Sequence, residues 1–223
     1  MAFLQSHPPR EPFLHAPRSV LGLIAVLVAI HLVVTLLPVP DAVLVSYVFI
    51  PARYAHGAPL LDLVVPLFSH QLLHGSFFHL TINCLWLLAF GPVVARRLGG
   101  LTFFVFFFLC GAAGALTELA FTWNSAAPMI GASGAISGLM GAAFRLMRWP
   151  GVPSGVRLVP IFSRPLVMTS LTWLILNAIV GIAGFGLGAN AGDVQIAWQA
   201  HMGGYLFGLL TIGVFDRLGR IIA

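Results

Sequence analysis

A chain of 223 residues that is 59% hydrophobic and only 8% charged cannot cover a water-facing surface, because soluble domains carry roughly 25% charged residues. The bilayer is the solvent that suits it, and the length leaves no room for a large soluble domain beside a membrane domain. The net charge of +5 would suit nucleic acid, but all eleven basic residues are Arg and stand at the ends of apolar runs; that pattern sets membrane topology and lays no phosphate track, so no nucleic-acid partner is expected.

Residues 1–19 are polar, Pro-rich and Arg-containing, and read as a short cytoplasmic tail. The apolar run 20–37 is longer than the roughly 7–15 residues of a signal peptide's apolar region, and no A-x-A site follows it. It reads as a retained first span. A long loop, 38–77, holds Pro51, Pro59 and Pro66 with only short apolar stretches between them. The second span is expected at 78–95, closed by Arg96 and Arg97, and the third at 101–123. The fourth, 131–147, is short and rich in small residues; the fifth and sixth are expected at 166–187 and 196–215. The fold class expected is therefore an all-α membrane protein, a six-transmembrane-helix bundle over 20–216, with a short cytoplasmic C-terminal tail at 217–223. Cys84 and Cys110 both lie inside apolar segments and read as small buried residues.

Arginine placement gives the orientation. With the N-terminus in the cytoplasm, Arg10, Arg18, Arg96, Arg97, Arg145, Arg148, Arg157, Arg164, Arg217 and Arg220 fall inside and only Arg53 outside, as the positive-inside bias requires. Both termini are then cytoplasmic. The second, fourth and sixth spans begin at the outer face, and their first turns carry His79 and Asn83, Ser133, and His201. Those groups share a shallow depth where water can reach them.

Gly131-Ala132-Ser133-Gly134 opens the fourth span. A serine needs a base to become a nucleophile, and a helix N-terminus adds unused backbone N–H groups that suit an oxyanion. Gly131 and Gly134 would let a substrate backbone come close. The same residues also suit a plain helix contact, because Gly134, Gly138 and Ala142 form a small-residue stripe. His201 lies within the sixth span, and an ionisable group there is a functional hypothesis by default. Ala200, Gly204 and Gly208 make a second smooth stripe, so the two helices can approach and bring His201 to Ser133. His79 and Asn83 are four apart on one helical face, and both can donate toward one point as oxyanion partners. Metal binding by His70, His74 and His79 is permitted by the spacing, but no HExxH is present and Asp62 lies in the loop. No metal and no cofactor are therefore expected. Asp193 and Glu118 are not placed to orient His201, so the expectation is a Ser–His dyad. His31 and Asn177 read as packing polars without a role.

Three motifs in this order resemble the rhomboid family of intramembrane proteases: His79-x3-Asn83 opening the second span, Gly131-x-Ser133-Gly134 opening the fourth, and Ala200-His201-x-Gly203-Gly204 in the sixth. The resemblance runs from the first loop to the sixth span. It implies a serine endopeptidase that cleaves transmembrane substrates in or near their spans. Ser133 and His201 would form the dyad, with His79, Asn83 and the Ser133 backbone N–H holding the oxyanion. Single-span membrane proteins would be the substrates and the lipid bilayer the surroundings. Two departures stand out. Many members carry Trp-Arg in the first loop where this chain reads Val64-Val65-Pro66-Leu67, and many carry an aromatic residue against the histidine where this chain has Ser137.

An inactive rhomboid-like protein that binds membrane clients would be expected to lose the serine or the histidine, and both are present. A small transporter would place its polar groups at the midplane, whereas here they sit near the outer face. The expected setting is a bacterial inner membrane.

Overall fold

The computed structural model describes residues 16–151, 157–183 and 196–222. Apart from one isolated bridge between Phe49 and Met129, its regular structure is helical. Helix α1 is Arg18–Leu36, and three short helices follow: α2 Asp41–Val45, α3 Ala52–Ala55 and α4 Leu60–Ser69. The long helices are α5 Phe77–Leu98, α6 Gly100–Phe121, α7 Ser133–Leu146, α8 Arg164–Ile182 and α9 Trp198–Ile222. The protein is an all-α membrane protein.

Four of these helices, α1, α5, α6 and α8, are long and apolar enough to cross a membrane. The sequence reading expects six spans. Helix α7 has 14 residues, about 21 Å at 1.5 Å per residue, short of a hydrocarbon core of about 30 Å. Helix α9 is longer than expected and carries Asp216 and Arg217 past the expected end of the sixth span. The physical reason for α7's shortness is its position. Residues 134–143 are all buried, and ten consecutive residues at 3.6 per turn cover every face. A helix sheathed by protein need not match the bilayer.

The contact between α7 and α9 rests on missing side chains. A Cβ at Gly204 would run into the Gly134 carbonyl, and one at Gly208 into the Gly138 carbonyl. A Cβ at Gly141 would lie 2.5 Å from the Tyr205 carbonyl oxygen. The two small-residue stripes therefore face each other. At the far end of the bundle, Arg97 donates through Nε (2.5 Å) and Nη2 (3.0 Å) to the two oxygens of Asp216. A planar guanidinium suits that fork, and it ties α5 to α9. Arg145 adds a bond from Nη1 to the Leu209 carbonyl (3.0 Å).

The segment between α1 and α5 is more ordered than a loop. Pro66 sits inside α4; lacking an N–H it removes one helix bond without ending the helix. Phe49 and Met129 exchange backbone bonds (3.2 and 2.8 Å), and the Ala52 N–H reaches the Ser125 carbonyl (2.9 Å). Arg53 donates to the Val45 carbonyl at the end of α2 (2.8 Å). This layer is thereby fastened to the α6–α7 connection, beside the start of α7. Helix α8 is attached more lightly. Its buried residues, Leu166 and Ser170, both lie in its first half, and Leu171, Ile175, Leu176, Ile179 and Ile182 are exposed as a lipid-facing surface would be.

Candidate active site

Ser133 is the first residue of α7. The chain reaches it through Gly131 at φ +120°, a conformation that residues with a Cβ rarely adopt. Space imposes the same choice. A Cβ on Gly131 would lie 2.7 Å from Cε1 and 2.8 Å from Nε2 of His79, and 3.9 Å from the Ser133 hydroxyl. The His79 ring edge and the Ser133 hydroxyl thus flank one glycine. Gly131 is held there by its N–H, which donates to the His70 carbonyl (2.9 Å). The first intrahelical bond of α7 runs from the Ile136 N–H to Ala132, so the N–H groups of Ser133, Gly134 and Ala135 have no partner within the helix.

His201 stands in the first turn of α9, and its Nε2 lies 2.7 Å from the Ser133 hydroxyl oxygen. The approach depends on Gly204, where a Cβ would run into the Gly134 carbonyl, and on Gly114 of α6, where one would lie 2.5 Å from the Ala200 carbonyl oxygen. Ser133, His79 and His201 are each only partly buried.

His79 is positioned by the start of α5. The Ser76 hydroxyl accepts the His79 N–H (3.1 Å), capping the helix in the manner that orphan N-terminal donors require. Asn83 lies one turn further on and is buried. Its amide nitrogen donates to the His79 carbonyl (2.9 Å), which uses one of its two hydrogens. His70 and His74 are both buried beside the site. The His70 ring is committed through Nδ1 to the Pro66 carbonyl (2.8 Å), and the His74 ring packs edge-on against His79 with centroids 5.1 Å apart. Among the described residues, no group of three or more His, Cys, Asp or Glu side chains is arranged to hold a metal ion.

Two further polar residues gain places. Asp193 lies outside the described residues, and the Glu118 carboxylate stands 3.4 Å from the Thr122 hydroxyl at the end of its own helix, a hydroxyl that donates to the Glu118 carbonyl (2.8 Å). What meets the far nitrogen of His201 is Asn177 of α8: its Oδ1 is 2.9 Å from His201 Nδ1, and its Nδ2 donates to the Trp198 carbonyl (2.9 Å). The sequence reading assigns Asn177 no role. Its signal was an amide side chain in a span whose other uncharged polar residues, Thr169, Ser170 and Thr172, lie in its first half.

A family model described as the Rhomboid domain matches residues 62–217, from α4 to α9. The chain belongs to the rhomboid family. It is similar to the protein named "Rhomboid protein 1, mitochondrial" of Saccharomyces cerevisiae, with 30% identity over 154 residues. The match takes in 67% of this chain and 40% of that relative's length. All the residues brought together above lie inside the part of this rhomboid that the family model covers. Ser137, where many rhomboids carry an aromatic residue, is buried in α7 one turn after Ser133 and brings no ring to the histidine.

Proposed function

We propose that this rhomboid is an intramembrane serine endopeptidase with Ser133 as nucleophile and His201 as general base. The observation that carries the reading is the 2.7 Å approach of His201 Nε2 to the Ser133 hydroxyl, within the reach that proton transfer needs. In the reaction, Nε2 takes the hydroxyl proton as Oγ attacks the scissile carbonyl. The resulting oxyanion is held by the Ser133 N–H at the start of α7 and by the His79 imidazole. The remaining amide hydrogen of Asn83 is the third donor. The tetrahedral adduct collapses to an acyl ester as His201 gives its proton to the leaving amine. Water then attacks the ester by the same base, releasing the acid and restoring Ser133.

Substrates are single-span membrane proteins that enter from the bilayer and are cut near its outer face. Support comes from the arginines, ten of which stand at one end of the spans and only Arg53 at the other. Both termini are then cytoplasmic, in the inner membrane of a bacterium. A substrate helix must also open to expose its carbonyl, so Gly or Pro near the outer end of its span favours cleavage.

The test is purified protein with a panel of single-span proteins and a fluorophosphonate probe. Cleavage and labelling are expected in the wild type and lost in both Ser133→Ala and His201→Ala, each still folded. His79→Ala and Asn83→Ala are expected to lower turnover by roughly 10²–10³, the usual cost of one oxyanion donor. Full activity of either dyad variant refutes the assignment.

A further inference from the structure

We propose that Asn177 is the positioning residue of the base: it fixes His201 in the tautomer whose Nε2 lone pair faces Ser133. The inference rests on the protease reading and adds a residue to it. The donors and acceptors from Trp198 to Ser133 form a chain in which each step has one solution. The Trp198 carbonyl can only accept, so the amide nitrogen of Asn177 is the atom that faces it at 2.9 Å. The amide oxygen therefore faces His201 Nδ1, also at 2.9 Å. That oxygen too can only accept, so Nδ1 carries the hydrogen. A neutral imidazole has one N–H. Nε2 is left as a bare lone pair, 2.7 Å from a hydroxyl that has one hydrogen to give. The other tautomer would set an N–H against Ser133 and leave two acceptors facing each other at Nδ1.

The choice of an amide fits the surroundings. A carboxylate would stabilise the imidazolium more strongly, but an ionised group inside a span is costly. Asn177 supplies orientation without a charge. It also supplies what Ser137 does not, a contact that holds the plane of the imidazole. Helix α8 has no buried residue besides Leu166 and Ser170 to hold its second half. There the helix meets α9 through Asn177 and through Gly181, whose missing side chain makes room for the Trp198 indole. The alignment of the base thus depends on α8 being seated on the first turn of α9.

Two variants separate orientation from simple stapling. Asn177→Leu removes both bonds, whereas Asn177→Asp keeps the acceptor for Nδ1 and loses the donor to Trp198. With a single-span substrate in proteoliposomes, Asn177→Leu is expected to lower kcat by roughly 10–100-fold, less than the roughly 10⁴ seen when replacing a triad's acid by its amide leaves the imidazole in the wrong tautomer, with KM nearly unchanged. Asn177→Asp is expected to recover most of that loss. In ¹⁵N-histidine NMR, His201 is expected as the Nδ1–H form in the wild type and as the Nε2–H form in Asn177→Leu. Wild-type kcat in Asn177→Leu, an Asn177→Asp variant no better than Asn177→Leu, or an Nε2–H form in the wild type would each overturn the proposal. The NMR signature needs no turnover, so it decides the role of Asn177 even if the protein cleaves nothing, an outcome that would instead sink the protease reading.

Discussion

His70 acts through both its ends. Its carbonyl pins Gly131 and its ring bonds Pro66, so the turn before Ser133 leans on a buried imidazole. Burial pushes the His70 pKa down to about 4, against the opposing pull of the Pro66 and Leu67 carbonyls. Burial, helped by the nearby His79 and His31, takes His74 down to about 3. The unfolded chain takes up these protons near pH 6.5 while the folded one refuses them, so stability rises with pH across the gap. The expected outcome is a thermal midpoint in detergent that falls as pH drops from about 6.5 to about 4. A His70→Gln, His74→Gln variant should show a flatter profile; an equally steep one would remove these two residues as the cause. At this scale the sequence was legible where a polar side chain interrupts an apolar run, as Ser133 and His201 do, and the structure sets these two 2.7 Å apart. Asn177 was not legible for a geometric reason. Helix α8 scatters Thr169, Ser170, Thr172 and Asn177 through an apolar run, and Thr172 is exposed while Ser170 is buried, so polarity alone does not say which way Asn177 points.

Helix pairing was written in the glycines. Small residues at every fourth position are visible in a string of letters, and the α7–α9 contact uses them. Gly204→Ala would drive a methyl group into the Gly134 carbonyl, and such overpacking costs about 1–3 kcal/mol. It should lower the thermal midpoint and weaken cleavage by parting Ser133 from His201. Gly22 in α1 has nothing within 4 Å of its would-be Cβ, so Gly22→Ala should leave cleavage alone and stabilise slightly, by up to about 1 kcal/mol. Equal effects of the two would refute the packing argument, with circular dichroism melts and cleavage rates as the measurements. The helices of the first loop were hidden by their own prolines. Pro66 reads as a breaker, yet α4 continues through it to Ser69, because a helix clamped by its neighbours survives the loss of one bond.

Across the whole molecule, span counting by apolarity works only for helices that meet lipid. It finds α1, α5, α6 and α8. It passes over α7, whose residues 134–143 are all buried, and α9, which exposes Leu206, Leu210, Val214 and Leu218 but starts on Gln199 and His201 and carries Asp216, 3% exposed and answered by Arg97. The charge at that end is satisfied inside the bundle, so apolar length is not needed there.

The sheath around α7 has one more consequence, which concerns measurement. A 14-residue helix whose residues 134–143 are all enclosed by protein cannot stretch or tilt to follow the bilayer, so the height of Ser133 is referred to the protein's own rim. A substrate span is referred to the lipid surface at which its flanking residues anchor. The two rulers slide past each other when acyl chains lengthen. In thicker bilayers the outer surface rises relative to Ser133, and the bond presented to it should lie deeper in the substrate's span, by about one residue per 1.5 Å. Mass spectrometry of products from liposomes of graded chain length reads this directly. A cut that stays on one bond throughout the series would show that the proposed protease grips its substrate by sequence and does not gauge depth.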